Sequence, residues 1–548
     1  MSPRFRRAIG LTAVPALALS TLAALPSTPA YAAEPDPAPV AAGAAWLADQ
    51  VTDGLVHNDQ FNFDDYGLSI DVALGLDAVG GQDATVQAVA DAIATNLEFY
   101  IGYDYFPAPP AGETRHVLAG SIAKALVLAQ TAGRDPAAYG GHDLVADLEA
   151  QVVDAGPAIG RIRDTFNPDV EFESDFSNTF GQTFAVRGLD AAGSPVAEAA
   201  TEFLIAQQCD EGFFRQDFAA IDAADQTCDG DAAAEPSTDV TALAVLALQG
   251  QADDTDVQAV IDGATAWLLD EQNPNGSFGS SSEITTANTN STGLAGWALG
   301  VEEQTAAAER AAGWVRGHQA DDPAPCATEL VSEVGAVAYD AAAQQAGRTD
   351  GITVELQDQW RRATSQALPV LQWAPLTGTG GIQEIDTAGY FRAGTRVTVG
   401  ADGFPPGDTV CFTRAGAGVA LAAVGHNGQA LARVLLPQGS GLRTFNSNNG
   451  QSEGQPMSFH ALGAKTLRFE ARDRVPRGKR QVVKLRGLAP GERYKVKYRG
   501  KRVDTGIATA EGRATERFRV GRKLGKAKVL VVGEFGNRRG AKTFRVVR

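Results

Sequence analysis

Five apolar segments of this 548-residue chain open on polar side chains whose types suit ligand contact. Asp64, Asp65 and Tyr66 precede the first, Arg115 and His116 the second, and Ser177, Asn178 and Thr179 the third. Ser237, Thr238 and Asp239 open the fourth, and Asn288, Thr289 and Asn290 the fifth. Aligned on their terminal leucines, the segments share a polar column one turn further in: Ser69, Ser121, Gln182, Thr241 and Thr292. Ser, Thr, Asp and Asn are the preferred helix N-caps, which accounts for the first positions. Capping does not require a polar column one turn deeper, so a ligand-facing ring stands beside it as a second reading. In that ring Asp65, Tyr66, His116, Asn178, Gln182, Thr241 and Asn290 are the candidate binding residues. Asp239 is the candidate catalytic residue, because a carboxylic acid with a manipulated pKa can exchange a proton, with Asp65 as its partner in acid and base work on a glycan.

Other chemistries lack their residues. His57, His116, His142 and His318 do not stand beside Cys209, Cys228 or Cys326, so the mixed thiolate, imidazole and carboxylate set of a zinc site is not spelled out. There is no phosphate-cradling Gly-rich loop of Walker type. No metal and no cofactor is expected. Cys209 and Cys228, 19 residues apart in one loop, are expected to form a disulfide. Cys326 and Cys411 either bridge two domains or stay reduced. The acids Asp210, Glu211, Asp222, Asp225, Asp229 and Asp231 read as a solvated loop, since their spacing is not that of an EF-hand.

These residues sit on an internal repeat. Trp46-Leu47, Leu97, Leu148, Phe203-Leu204, Trp267-Leu268 and Trp314-Val315 recur at an interval of about 50 residues. Each is followed by a second Ala- and Leu-rich segment, the sixth read over Val334 to Ala343, with apolar residues at i, i+3, i+4 and i+7. The second segments are apolar nearly all round, which predicts burial, and the first are amphipathic. Six helix pairs without polar end-caps predict an all-α (α/α)6 toroid closing over residues 33–368. Its central cavity is the default ligand site.

The segment Ala264 to Phe278, with Trp267-Leu268, Gln272, Gly276 and Phe278, resembles the repeat of squalene–hopene cyclases and protein prenyltransferases, and Ala200 to Phe213 is similar. The resemblance covers residues 40–345 and implies the toroid fold. Glu235 to Ala242 is similar to the place where hopene cyclases carry their proton-donating Asp-x-Asp-Asp-Thr-Ala motif. Ser237 and Val240 replace two of its acids, and only the central one, Asp239, is kept.

A different grammar follows. Gly403-Phe404-Pro405-Pro406-Gly407-Asp408 returns 84 residues later as Gly487-Leu488-Ala489-Pro490-Gly491-Glu492, between segments of strand period. This predicts a linker over 369–384 and two all-β sandwiches, 385–464 and 465–548, that look like bacterial immunoglobulin-like modules. The net charge of −19 hides an asymmetry: residues 465–548 hold 27 Lys and Arg against 7 Asp and Glu, while residues 1–464 hold 20 against 59. Arg477, Lys479, Arg480, Lys484, Arg486, Lys495, Lys497, Arg499, Lys501 and Arg502 alternate with apolar residues, a face for anionic envelope polymers. Sequence-specific nucleic-acid binding is not expected of so acidic a chain.

Arg4, Arg6 and Arg7, the apolar run Ala8–Leu25 and Ala30-Tyr31-Ala32 read as a signal peptide over 1–32, which predicts secretion, with attachment to the envelope through the basic module. No later segment reaches the ~18 apolar residues of a membrane span. The function expected is a non-catalytic toroid binding a small amphiphile or a glycan, with a degenerate cyclase or carbohydrate-active enzyme using Asp239, or a structural envelope protein, as alternatives.

Overall fold

The computed structural model describes residues 34–281, 284–379, 381–385, 390–463, 466–535 and 538–548. The segment read as a signal peptide lies outside them.

Among the described residues thirteen helices fill the first part: α1 (Pro37–Asp49), α2 (Tyr66–Val79), α3 (Asp83–Tyr100), α4 (Ala119–Thr131), α5 (Leu144–Glu149), α6 (Thr179–Ala192), α7 (Ala197–Ile205), α8 (Thr238–Leu248), α9 (Thr255–Glu271), α10 (Thr289–Val301), α11 (Thr305–Arg316), α12 (Ala341–Asp350) and α13 (Gln357–Ala367). Six of them close an inner ring: α2 packs on α4, then α6, α8, α10 and α13 follow in turn, and α13 returns to α2. Helices α1, α3, α5, α7, α9 and α11 lean against this ring. The toroid is therefore a property of the packing itself.

The repeat motif has a mechanical meaning. Gly212 and Gly276 adopt φ of 101° and 92°, and a Cβ on either would lie 2.5 Å or less from a carbonyl oxygen of the next outer helix, at Gly263 or Arg310. The motif glutamines span the same joints. Gln208 Nε2 donates to the Gly212 and Val260 carbonyls, and Gln272 Nε2 to those of Gly276 and Ala307. Gln319 closes the circle by donating to Gly335 O and, across the ends of the ring, to Pro39 O on α1.

The sixth inner helix is α13, not the Val334–Ala343 segment expected from the apolar pattern. Residues 335–338 are buried in the loop ahead of α12, which Asp340 caps by accepting from Ala343 N–H. Helix α13 escaped notice because its sequence, QDQWRRATSQA, is polar. Its Arg361 is nevertheless buried, donating to Gln50 Oε1 and His57 O. Pro369–Trp373, expected to begin the linker, form a 3-10 helix packed on α10, α11 and α1.

Four of the five residues of the polar column prove to be internal staples, and the fifth, Ser121, lines the cavity. Ser69, Thr241 and Thr292 each accept from a loop N–H (Val56, Phe214, Phe278) and donate to the carbonyl four residues back. Gln182 Oε1 accepts from Ile162 N–H, and Thr364 plays the part in the sixth copy toward Val337 N–H. Each staple fixes the loop that leads into its inner helix. Thr292→Val keeps the shape and strands the buried Phe278 N–H, so we expect a loss of about 1–3 kcal/mol in chemical denaturation.

Two strand-rich modules follow, each of two sheets around one apolar cluster. In the first, strands 417–423, 409–414, 441–448, 457–462 and 390–392 form one sheet in that order, and 429–435 pairs with 396–402. Val399, Val410, Phe412 and Phe445 lie in its core. In the second, strands 468–471, 480–486 and 513–519 face a sheet of five. Both cysteine pairs are bonded: Cys209–Cys228 within one loop, and Cys326–Cys411 from the toroid to the first β module. No helix among the described residues is long and apolar enough to cross a membrane.

Candidate functional site

The N-terminal halves of the inner helices enclose a cavity of about 520 Å³. Its walls carry four charged residues: Asp71 on α2, Lys124 on α4, Asp164 in the loop before α6, and Asp239 on α8. Tyr100, Phe176, Phe180 and Phe184 supply aromatic faces, and Asn178, Asn290 and Gln366 supply amides. Asp71, Phe184, Leu243, Leu294 and Gln366 are shared with a narrower space of about 90 Å³, walled by Leu74, Leu246, Trp297 and Pro369. The bore thus runs from a polar mouth to a mainly apolar floor, whose lining also includes Arg187.

Three of the four charges are paired within the protein. Lys124 Nζ lies 2.6 Å from Asp71 Oδ1 and donates to Gly67 O. Burial works to lower its pKa, but Asp71 and Tyr100 overcome this and hold the ammonium charged. Asp164 accepts from Ala119 N–H, taking the place of a side-chain cap on α4, and from Phe176 N–H. His116 Nε2 stands 3.3 Å from its Oδ2. Burial outweighs these donors and raises the Asp164 carboxyl above the usual carboxylate range.

Asp239 is different. No cation or hydrogen-bond donor among the described residues satisfies it, and Asp239 Oδ1 is buried without a partner, as are Asn290 Oδ1 and Ser291 Oγ beside it on α10. Desolvation pushes the carboxyl up to about 6, against the opposing pull of the Ser291 hydroxyl, which sits close without completing a bond. The native carboxyl therefore holds its proton over a pH range in which the unfolded one has lost it. Its ionisation costs stability that is fully expressed above pH ~6 and vanishes below ~4. Asp239→Asn should stabilise the protein by about 2 kcal/mol at pH 8 in chemical denaturation and leave it unchanged at pH 4. A variant no more stable at pH 8 would show that the charge is compensated in solution.

Of the residues singled out from sequence, Asp239, Asn178 and Asn290 line the cavity. Asp65, Tyr66, His116, Gln182 and Thr241 do not. Asp65 accepts from Leu68 N–H as the cap of α2 and pairs with Arg362, so it is not the partner of Asp239 in the cavity. Tyr66 packs edge-on against Tyr100 and donates to Asn96. Gln182 and Thr241 are spent in the staples. His116 is fully buried, its Nδ1 bonded to Glu173 and its ring stacked 5.3 Å from Phe176, so it positions two cavity residues without reaching the cavity. In the acidic loop, Asp231 pairs with Arg215, Asp229 accepts from Asp210 N–H and Asp225 from Thr227 N–H. Sequence reading missed Asp71 and Lys124. The available signal was a lone charge inside a helix apolar all round, and Lys124 is the only charged residue of α4.

No family model matches the chain, and no curated protein matches it. Among solved structures it is similar to a protein from Actinoplanes, at 16% identity over 61% of this chain and 98% of that one, with a TM-score of 0.41. The type II terpene cyclase MstE from Scytonema matches at 16% identity, over 62% and 97%, with 0.41. An unsaturated glucuronyl hydrolase specific for heparin matches at 9% identity, over 62% and 96%, with 0.42. Likenesses this remote carry no argument about activity, and the toroid rests on its own closed ring of helices.

Proposed function

We propose that the chain is a non-catalytic receptor whose toroid binds a small amphiphile and whose last module holds anionic envelope polymers. The observation that supports the first part is the bore itself: a cavity of about 520 Å³, polar at the mouth, continuing into a mainly apolar floor at Leu246 and Trp297. That volume and lining suit a single small ligand. Native mass spectrometry of the protein recovered from its own culture medium tests both secretion and binding. A co-purifying mass lost on organic extraction supports the reading, and a protein that never reaches the medium, or is clean when recovered there, opposes it.

The basic face of the last module, read as immunoglobulin-like, supports the second part. Arg468, Arg486 and Arg513 stand directly opposite one another across three strands, and Arg480 faces Arg519. All five are exposed. Like charges in register are destabilising unless an anion neutralises them. Replacing Arg468, Arg486 and Arg513 by Gln should cut retention on an anionic polysaccharide column and flatten its salt dependence by roughly three charges' worth. Unchanged retention would remove this surface from the proposal.

One observation favours a second reading, an acid catalyst related to class II cyclases: the Asp239 carboxyl is raised toward neutrality at the cavity wall. Conversion of an isoprenoid alkene to a cyclised product, lost in Asp239→Asn, would establish it.

A further inference from the structure

The geometry points to a primary amine as the polar group of the cavity's ligand, its ammonium seated against Asp239 and Asn290 and its apolar chain directed toward Trp297. This rests on the amphiphile reading above and narrows it.

The argument is a count of charges and donors. The lining of the main cavity holds three carboxylates and one ammonium. Asp71 is taken by Lys124, and Asp164 by His116 and two backbone N–H groups. Asp239 is left over, and the other buried atom without a partner among the lining residues, Asn290 Oδ1, is an amide oxygen that accepts. A buried carboxylate without a partner is costly, and one cation carrying N–H donors removes that cost. No cation in the described lining of the main cavity is free to do so, and Arg187, in the narrower space below, interacts with Asp77. Lys124 is committed to Asp71 and Gly67, and Arg362 to Asp65. A carboxylate ligand would meet Asp239 as a like charge. A neutral alcohol would offer one donor and leave the charge unpaired. A primary ammonium offers three donors and a positive charge. The aromatic faces of Tyr100, Phe176, Phe180 and Phe184 in the same wall attract a cation and not an anion.

The test compares decylammonium, decanol and decanoate, which share one chain and differ only in the head group, binding to the full-length mature protein. Calorimetry or quenching of tryptophan fluorescence reads the affinity at pH 7.5. Decylammonium is expected to bind at least 10-fold more tightly than either analogue. Asp239→Asn should abolish that preference, bringing decylammonium to within about threefold of decanol, and detectable decanol binding by the variant shows that the bore is still folded and open. Decanol or decanoate binding as tightly as the amine would overturn the amine assignment and leave the amphiphile reading standing. Failure of all three to bind would overturn both. Amine preference retained in Asp239→Asn would show that another group recognises the cation and would likewise defeat the assignment.

Discussion

Arg316→Met is expected to cost roughly 3–5 kcal/mol, the loss seen when one partner of a buried ion pair is removed. Arg316 ends α11 and is buried between Asp36, at 2.8 Å, and Asp408, at 3.6 Å. Asp36 caps α1 at the start of the toroid, and Asp408 belongs to the first β module, where it is almost wholly buried. One guanidinium thus neutralises two carboxylates from two domains. Met fills most of the volume and leaves both acids without their cation, though Asp36 keeps the Ala38 N–H and Asp408 keeps Asn449 Nδ2. Burial already raises the Asp408 carboxyl, and Arg316 is the cation opposing that rise, so its removal moves the group further up. Protonation then relieves the variant as pH falls. The deficit in denaturant unfolding should be largest near pH 8 and shrink toward pH 4.5. A deficit that does not change with pH would place the cost in packing instead of charge.

The internal duplication explains why this arginine matters. The acid after Pro-Gly is buried in both β modules, Asp408 in the first and Glu492 in the second. In the second module Glu492 is met by its own Arg538, 3.9 Å away. At the 84-residue offset of the duplication, the first module has Gly454 in place of that arginine. Asp408 instead receives Asn449 Nδ2 from its own module and the guanidinium of Arg316 from the toroid. The sequence displayed the repeated Pro-Gly-acid turn, but the loss of one arginine from one copy gains meaning only when the neighbouring domain is in place.

The same contrast runs through the toroid. Its fold was legible because Trp, Phe or Leu anchors recur about every 50 residues, and the Gln and Gly that follow two of them do local work: the glycine passes where no Cβ fits, and the glutamine bridges to the next outer helix. The sixth inner helix was illegible because α13 satisfies its burial through polar partners that lie some 300 residues away, Gln50 and His57. In the cavity, the short-range grammar identified the helix ends but could not separate a hydroxyl that holds a loop from one that faces a ligand. Ser121 and Thr241 occupy matching positions in the column, yet Ser121 lines the cavity and Thr241 holds Phe214 N–H. The difference lies in whether a loop returns over that side of the helix. Asp239 was legible as a candidate, while its isolation depends on the commitment of Lys124 to a residue on a different helix.

Replacing Cys326 and Cys411 together by Ser should cost roughly 3–4 kcal/mol and separate the unfolding of the toroid from that of the first β module. The two cysteines are 85 residues apart, so the bond closes a long loop, and long loops gain most from cross-linking in the chain-entropy account. The bond also lies within the surface where the two domains meet. A Cβ on Gly418 would sit 2.8 Å from Cys326 Sγ, and one on Gly407 would sit 2.1 Å from the Gly313 carbonyl oxygen on α11. The disulfide and the Arg316 cluster therefore fasten one joint from two sides. Interactions that share a joint are not additive, because whichever fails first frees both domains. Adding Arg316→Met to the double serine variant should then cost less than the substitution costs in the oxidised wild type, and calorimetry should resolve two transitions where a single merged one is expected of the wild type. If the two costs simply add and the transitions stay merged, the domains are held chiefly by their apolar contact, and neither the arginine nor the disulfide governs their docking.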